Sequence, residues 1–226
     1  MPAVLRVVLE IGPKQRRVVA LAPDWPGLER GGRTPADAIA SLRSYLPRYA
    51  EVARFAGLES EFAALGDVDV VEEYPGVGST DFWGISFAFS SIDQEAMSSE
   101  VVDRQLVLLR ACWSVFDKVR SQVSSEMRRG PRGGGRDRDQ IVRHVLVNEQ
   151  QWARKLGMRS QDGEAPTDDH RVRSFRDDYC GAIRLFQAEN KPARTWPLRY
   201  LVRHTAYHAM DHTWEMQDKD LTARTS

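Results

Sequence analysis

The chain has 226 residues, which is enough to bury a hydrophobic core without the help of disulfide bonds. It is 42% hydrophobic and 28% charged, as in ordinary globular proteins, and Lys plus Arg equals Asp plus Glu at 32 each. This balance excludes an electrostatic argument for nucleic acid or an anionic membrane as partner, and no apolar run approaches the roughly 18 residues of a membrane span. The two cysteines, Cys112 and Cys180, fall in predicted helices and fit a reduced, cytoplasmic protein.

The first part of the chain predicts a small α/β unit. Residues 3–11 and 17–22 are rich in β-branched and aliphatic side chains, which predicts a hairpin with its turn at 13–16. After a Pro- and Gly-rich loop at 23–33, Thr34-Pro35 has the residue types with which helices begin. Apolar side chains at three- and four-residue steps continue this helix to about residue 53, and Pro47 is expected to shorten or kink it. Residues 67–72 alternate as a third strand, so the predicted order is β-β-α-β.

This unit resembles the HicB-like antitoxin fold. The residues that carry the resemblance are Pro23-Asp24, Trp25-Pro26-Gly27, and Gly31-Gly32-Arg33-Thr34 leading into Ala36-Asp37-Ala38. The resemblance implies a HicB-like module over residues 1–75. HicB-like antitoxins usually add a DNA-binding helix or ribbon, and the sequence shows no such element. The module is therefore expected to serve partner pairing, folding or ligand access, and toxin neutralisation is the weaker hypothesis.

Residues 76–91 form an aromatic connector. They contain Gly and Ser together with Phe82, Trp83, Phe87 and Phe89, and are too apolar for a free linker. We expect this segment to pack across the two parts of the chain, with a short strand at 84–89.

From residue 92 onward the apolar side chains recur with the period of a helix. The pattern predicts a long helix over 93–126 and a glycine-rich basic loop over 128–136. Three further helices are predicted over about 137–157, over about 167–190, and from about 196 onward. Four successive helices joined by short loops predict a four-helix bundle over 92–220. The expected fold class is therefore α+β.

Three of the five histidines, His204, His208 and His212, lie at steps of four in the last helix. Side chains four apart share a helix face about 6 Å apart, so two such imidazoles can bind one divalent cation. A third ligand must come from another helix, and His144 is the best candidate. Spacing alone leaves the pairs His204/His208 and His208/His212 open, although the second matches the apolar stripe better.

Two other interpretations of the same residues are a metal-free network and a metalloprotease. The first is a hydrogen-bonded histidine network with Asp211, Glu215 and Tyr207. The second, a metalloprotease of the His-Glu-x-x-His type, is excluded because Ala209 follows His208 and no general base lies between the pair.

Residues 92–220 resemble the DinB-like family of metal-binding four-helix bundles, the DinB/YfiT superfamily. The resemblance rests on the order of the four helices, on His144 with Glu149 in the second, and on the run from His208 to Glu215 in the fourth. It implies that His144, His208 and His212 bind a divalent metal, which could be Zn²⁺, Ni²⁺ or Fe²⁺. Around these ligands we expect a supporting shell of hydrogen-bonding side chains: Glu215, His204, Asp211 and Glu149.

The family also implies an activity. Its members include transferases and isomerases that use low-molecular-weight thiols such as mycothiol, bacillithiol or glutathione. We therefore expect a metal-dependent enzyme that activates such a thiol, or water, toward a small electrophilic substrate. The alternative is a non-catalytic metal-binding or regulatory protein that binds a partner through the HicB-like module. Both resembled families often dimerise, so a homodimer is expected.

Overall fold

The structure is a computed structural model that describes residues 3–130, 134–159, 168–189 and 196–222. It is a mixed α+β protein, as the sequence predicts. Its sheet has four strands in the order β3-β2-β1-β4, and β1 runs antiparallel to β2 and parallel to β4. The strands are β1 (Ala3–Ile11), β2 (Val18–Leu21), β3 (Glu29–Gly32) and β4 (Leu65–Pro75).

Strand β3 lies in the segment that the sequence predicts as a loop. Its residues, Glu-Arg-Gly-Gly, have low strand propensity, and the strand forms because it pairs antiparallel with the buried strand β2. Its two glycines are required by close packing. A Cβ atom at Gly31 would lie 2.5 Å from the carbonyl oxygen of Gly84, and one at Gly32 would lie 2.3 Å from the backbone nitrogen of Ala38.

Three helices connect β3 to β4: α1 (Pro35–Ser44), α2 (Leu46–Phe55) and α3 (Glu59–Ala63). Thr34 caps α1, because its hydroxyl accepts a hydrogen bond from the backbone nitrogen of Asp37 at 3.1 Å. The single helix expected from residue 34 to about 53 is interrupted at Tyr45. Pro47 lies in the first turn of α2, where its missing N–H is tolerated, so the expected effect of this proline is confirmed.

The remaining helices are α4 (Gly78–Trp83), α5 (Ser91–Gln94), α6 (Ser99–Gln122), α7 (Arg138–Ala153), α8 (Asp169–Ala188) and α9 (Leu198–Lys219), with a short 3₁₀ helix at Arg154–Leu156. The long helix expected over 93–126 is divided, because Ser98 caps α6 and the chain turns at 95–98. Asp137 and Asp168 cap α7 and α8. In the described ranges, no helix combines the length and the apolar character that a membrane crossing needs.

The strand expected at 84–89 does not form. The backbone nitrogen of Ser86 donates to Glu29 at 2.8 Å, and those of Phe87 and Ala88 donate to Glu10 at 3.1 and 3.2 Å. Buried carboxylates therefore take the N–H groups that a neighbouring strand would need. The connector is also only partly packed, since Phe89 contacts Tyr200 whereas Phe82 and Trp83 are exposed.

A buried polar cluster joins the sheet, the connector and α9. Arg203 of α9 donates to both carboxylate oxygens of Asp93 at 2.7 Å, to Glu29 at 3.4 Å and to Ser86 Oγ at 3.1 Å. Burial raises the pKa of Glu29 to about 8, against the lowering effect of Arg203. Arg203 and Asp93 are 3% and 2% exposed, so their charges have little access to water and depend on each other.

One hydrophobic core continues from the sheet into the long helices. The loop at 22–28 enters between the two parts: Trp25 packs against Tyr49, whose hydroxyl donates to the carbonyl of Pro26 at 2.7 Å. At Gly27, which has a φ of +97°, an added Cβ would lie 3.1 Å from both Cys112 of α6 and Met210 of α9. The N-terminal unit is thus held directly against the helix that carries His208 and His212.

Candidate metal centre

His144, His208 and His212 come together between α7 and α9. Each offers one ring nitrogen, and these three atoms lie within 4.8 Å of one another. The Nε2 atoms of His144 and His208 are 3.1 Å apart. Two nitrogens bound to one ion at about 2.1 Å and at a tetrahedral angle would be about 3.4 Å apart. The His144–His208 pair therefore already has the spacing of two ligands of one cation, and a small inward movement of the third ring would complete the set.

Two imidazoles of the cluster, those of His144 and His208, are held uncharged. Burial lowers the pKa of His144 to about 4, with further lowering by nearby His212 and Arg136. Burial, followed by His212 and His144, also holds the pKa of His208 well below its usual value. Both rings are then neutral at pH 7, which is the form that binds a metal.

Glu215 fixes the orientation of His212. Its Oε2 atom is 2.6 Å from Nδ1 of His212, and Lys219 Nζ donates to Oε1 at 2.5 Å. The hydrogen bond from His212 is the main cause of a Glu215 pKa lowered to about 2. An ionised carboxylate on Nδ1 leaves Nε2 of His212 as the nitrogen available to a metal, the arrangement common around metal-bound histidines.

Replacing Glu215 by glutamine should weaken metal binding by about 10–100-fold, because an uncharged amide polarises and orients the His212 ring less well than a carboxylate. Competition of the purified protein with a chromophoric chelator measures this affinity. The matched control is Glu61→Gln, which removes a surface carboxylate paired with Arg104. Equal affinities in the Glu215→Gln variant and the wild type would show that this carboxylate does not support a ligand.

His204 does not join the three converging nitrogens. Its ring is stacked on Tyr200 at 5.1 Å with an interplanar angle of 13°, and it lies 5.0 Å from Trp152 and 5.3 Å from Trp196. Burial lowers its pKa to about 3. Of the two pairs that the spacing left open, the structure thus brings His208/His212 to His144, and it places His204 in an aromatic cluster. Trp152 links the two regions, because its ring is also 5.0 Å from that of His208.

The structure corrects the expected role of Glu149. Both of its carboxylate oxygens accept hydrogen bonds of 3.0 Å from Arg176 of α8, so Glu149 neutralises a buried guanidinium. Asn148 contacts His144 in its place: Nδ2 of Asn148 is 3.4 Å from Nδ1 of His144 and donates to the carbonyl of His144 at 2.8 Å. The four-residue spacing of His144 and Asn148 was the signal that could have identified this neighbour.

Asp211 is also corrected. Its Oδ1 atom is 2.9 Å from a guanidinium nitrogen of Arg30 in β3, and Arg30 lies over the ring of Tyr45 at 4.0 Å. Asp211 therefore pairs with the N-terminal unit and not with the histidine cluster. Its contribution is to hold α9 against the sheet.

The arrangement can hold one divalent cation in a three-nitrogen set, with the negative charge of Glu215 behind one ligand. Comparisons with protein families, with curated proteins and with solved structures find no match for this chain.

Proposed function

We propose that the chain is a DinB-like metalloprotein and an enzyme that activates a low-molecular-weight thiol or water toward a small electrophile. The observation that carries the proposal is the convergence of three histidine nitrogens from α7 and α9. A single buried histidine is most often a hydrogen-bonded core residue. Three imidazole rings directed at one another are costly to bury unless a shared partner satisfies them.

The donor set fits a catalytic rather than a sealed structural ion. Three imidazoles suit Zn²⁺, Ni²⁺ or Fe²⁺ and leave at least one coordination position for a further ligand. Such an ion, when bound, lowers the pKa of a coordinated water or thiol and so supplies a nucleophile at neutral pH.

The surrounding residues have roles that do not depend on which ion is present. Glu215 orients the ring of His212, and Trp152 packs against His208. Arg136 is exposed, and its charge lowers the pKa of both His144 and His208. A positive charge beside the cluster would favour an anionic nucleophile or substrate. Cys112 and Cys180 are buried free thiols, which fits the proposed cytoplasmic location.

Metal content tests the ligand assignment. Protein purified without added metal should contain about one metal ion per chain by elemental analysis, and His208→Ala should retain less than about a tenth of it, since two imidazoles bind far more weakly than three. The matched control is His170→Ala, because His170 is an exposed histidine of α8. Full metal retention in His208→Ala would contradict the assignment.

Cobalt-substituted protein separates the thiol proposal from metal binding. Titration with glutathione should produce a new near-ultraviolet absorption band if the sulfur binds cobalt at the open position. If the band is absent with glutathione, mycothiol and bacillithiol alike while cobalt stays bound, a thiol is not the activated group.

A further inference from the structure

Helix α9 begins without a side-chain cap, unlike α6, α7 and α8. Its N-cap residue is Pro197, whose side chain has no hydrogen-bond acceptor, and no acidic residue lies in its first turn. The backbone nitrogen of Leu201 donates to the carbonyl of Pro197 at 3.0 Å. The backbone N–H groups before it, those of Leu198, Arg199 and Tyr200, have no acceptor among the described residues.

Arg199, in the same turn, is a buried cation without a counter-charge. It is 8% exposed, and its Nε atom is enclosed without a hydrogen-bond partner. In the described ranges no carboxylate forms an ion pair with it. One turn further along the same helix face, Arg203 is bound to both carboxylate oxygens of Asp93 at 2.7 Å, so this carboxylate is already taken. A buried guanidinium is costly to desolvate unless an anion neutralises it.

The side chain of Arg199 is directed toward the uncapped end of the helix. Side chains of an α-helix lean toward its N-terminus, and Arg199 is the second residue of α9. Its guanidinium therefore extends toward the turn that carries the free N–H groups. Trp196, Pro197 and Leu198 are each partly exposed, so this end of the helix is open to solvent. A small anion can therefore reach both kinds of donor.

Aromatic rings surround the start of α9. The ring of Trp196 is 4.8 Å from that of Tyr200, which is in turn 4.7 Å from that of Phe89. Lys155 places its Nζ atom 4.3 Å from the centre of the Trp196 ring, so a second cation lies close by. Apolar rings lower the local dielectric constant, which strengthens the attraction between a bound anion and Arg199.

We propose that the start of α9 is an anion-binding site, which takes the carboxylate or phosphate group of a small ligand. The guanidinium of Arg199 binds the oxygens of this group, and the free N–H groups and the positive end of the helix dipole add to the attraction. Arg199 precedes His208 by nine residues, or about two and a half turns, so the two side chains leave α9 on opposite faces. The site is therefore separate from the metal centre and does not depend on the proposed function.

Thermal unfolding of the purified protein in inorganic phosphate or acetate tests the site. At constant ionic strength, replacing chloride by about 10 mM of the bound anion should raise the Tm by about 3 °C, for a Kd of about 1 mM. Arg199→Met should weaken binding at least about tenfold and reduce the shift to about 1 °C or less. Arg33→Met, at an exposed arginine, and His208→Ala, at the metal centre, should both keep the full shift. A wild type that responds to neither anion, or an Arg199→Met variant with the full shift, would contradict the proposal.

Two measurements in chloride alone separate an anion site from a structural arginine. Arg199→Met should unfold at or above the Tm of the wild type, because it removes a buried charge that no protein group neutralises. Pro197→Asp should raise the Tm and abolish the response to phosphate, because its carboxylate caps the free N–H groups and takes the place of the ligand beside Arg199. An Arg199→Met variant that melts well below the wild type, or a Pro197→Asp variant that keeps the phosphate shift, would overturn the proposal.

Discussion

Replacement of Arg203 by methionine is expected to lower the free energy of unfolding by about 3–5 kcal/mol. Arg203 is the cation of the buried polar cluster, with both oxygens of Asp93 at 2.7 Å from its guanidinium. Methionine fills a similar volume but leaves the Asp93 carboxylate buried without its counter-charge. Desolvation of an unpaired ion, rather than the loss of a favourable contact, causes the expected effect. Guanidinium unfolding of the metal-free proteins at pH 7, followed by circular dichroism, measures it.

Glu29→Gln is the control for this substitution. The pKa of Glu29 is raised by burial to about 8, so most of this side chain is already protonated at pH 7. A glutamine oxygen can still accept the hydrogen bond from the backbone nitrogen of Ser86. We expect this variant to change stability by less than about 1 kcal/mol. If Arg203→Met were as stable as Glu29→Gln, the cluster would not depend on its cation.

Breaking the Glu149–Arg176 pair should lower the free energy of unfolding by a similar amount, and removing both charges should restore most of it. Glu149→Met is expected to cost about 3–5 kcal/mol, because Arg176 is 4% exposed and its one remaining ionic partner among the described residues would be Asp117, which is 33% exposed and 3.1 Å away. The double variant Glu149→Met/Arg176→Met removes both charges and should recover most of the lost stability. A double-mutant cycle of urea unfolding measures the coupling.

An ion pair on the surface is the control for that double-mutant cycle. Arg110 and Asp177 are 2.5 Å apart but 43% and 63% exposed, so Asp177→Ala should cost less than about 1 kcal/mol. If the double variant of the buried pair were less stable than Glu149→Met alone, the buried charges would be contributing more than their mutual neutralisation.

Local signals explain the parts of the fold that the sequence predicts well. β1 and β2 follow from runs of aliphatic residues, α1 begins where Thr34 and Pro35 supply the cap and first turn, and the break at Tyr45 follows from Pro47. Each of these depends on residues within one or two turns. β3 depends instead on pairing with β2, and the irregular backbone at 84–90 depends on Glu10 and Glu29, which are more than fifty residues away in sequence.

The candidate site also has features that depend on nearby residues and features that depend on distant ones. The four-residue step from His208 to His212, and the three-residue step to Glu215, place these side chains near each other on any helix, so they were visible in the sequence. The partner of Glu149 was not visible, because Arg176 lies on another helix. The partner of Asp211 was not visible either, because Arg30 lies in the sheet. The sequence therefore did not determine which charged side chains of different helices and strands pair with each other.

The loop around Gly27 packs against Cys112 and Met210 and so joins the two halves of the chain. We expect that neither half could be excised or exchanged on its own, because removing the first would expose part of the second half's interior to water. Both halves should melt in one cooperative transition. The helix that carries His208 and His212 therefore packs on a segment that precedes it by about three quarters of the chain.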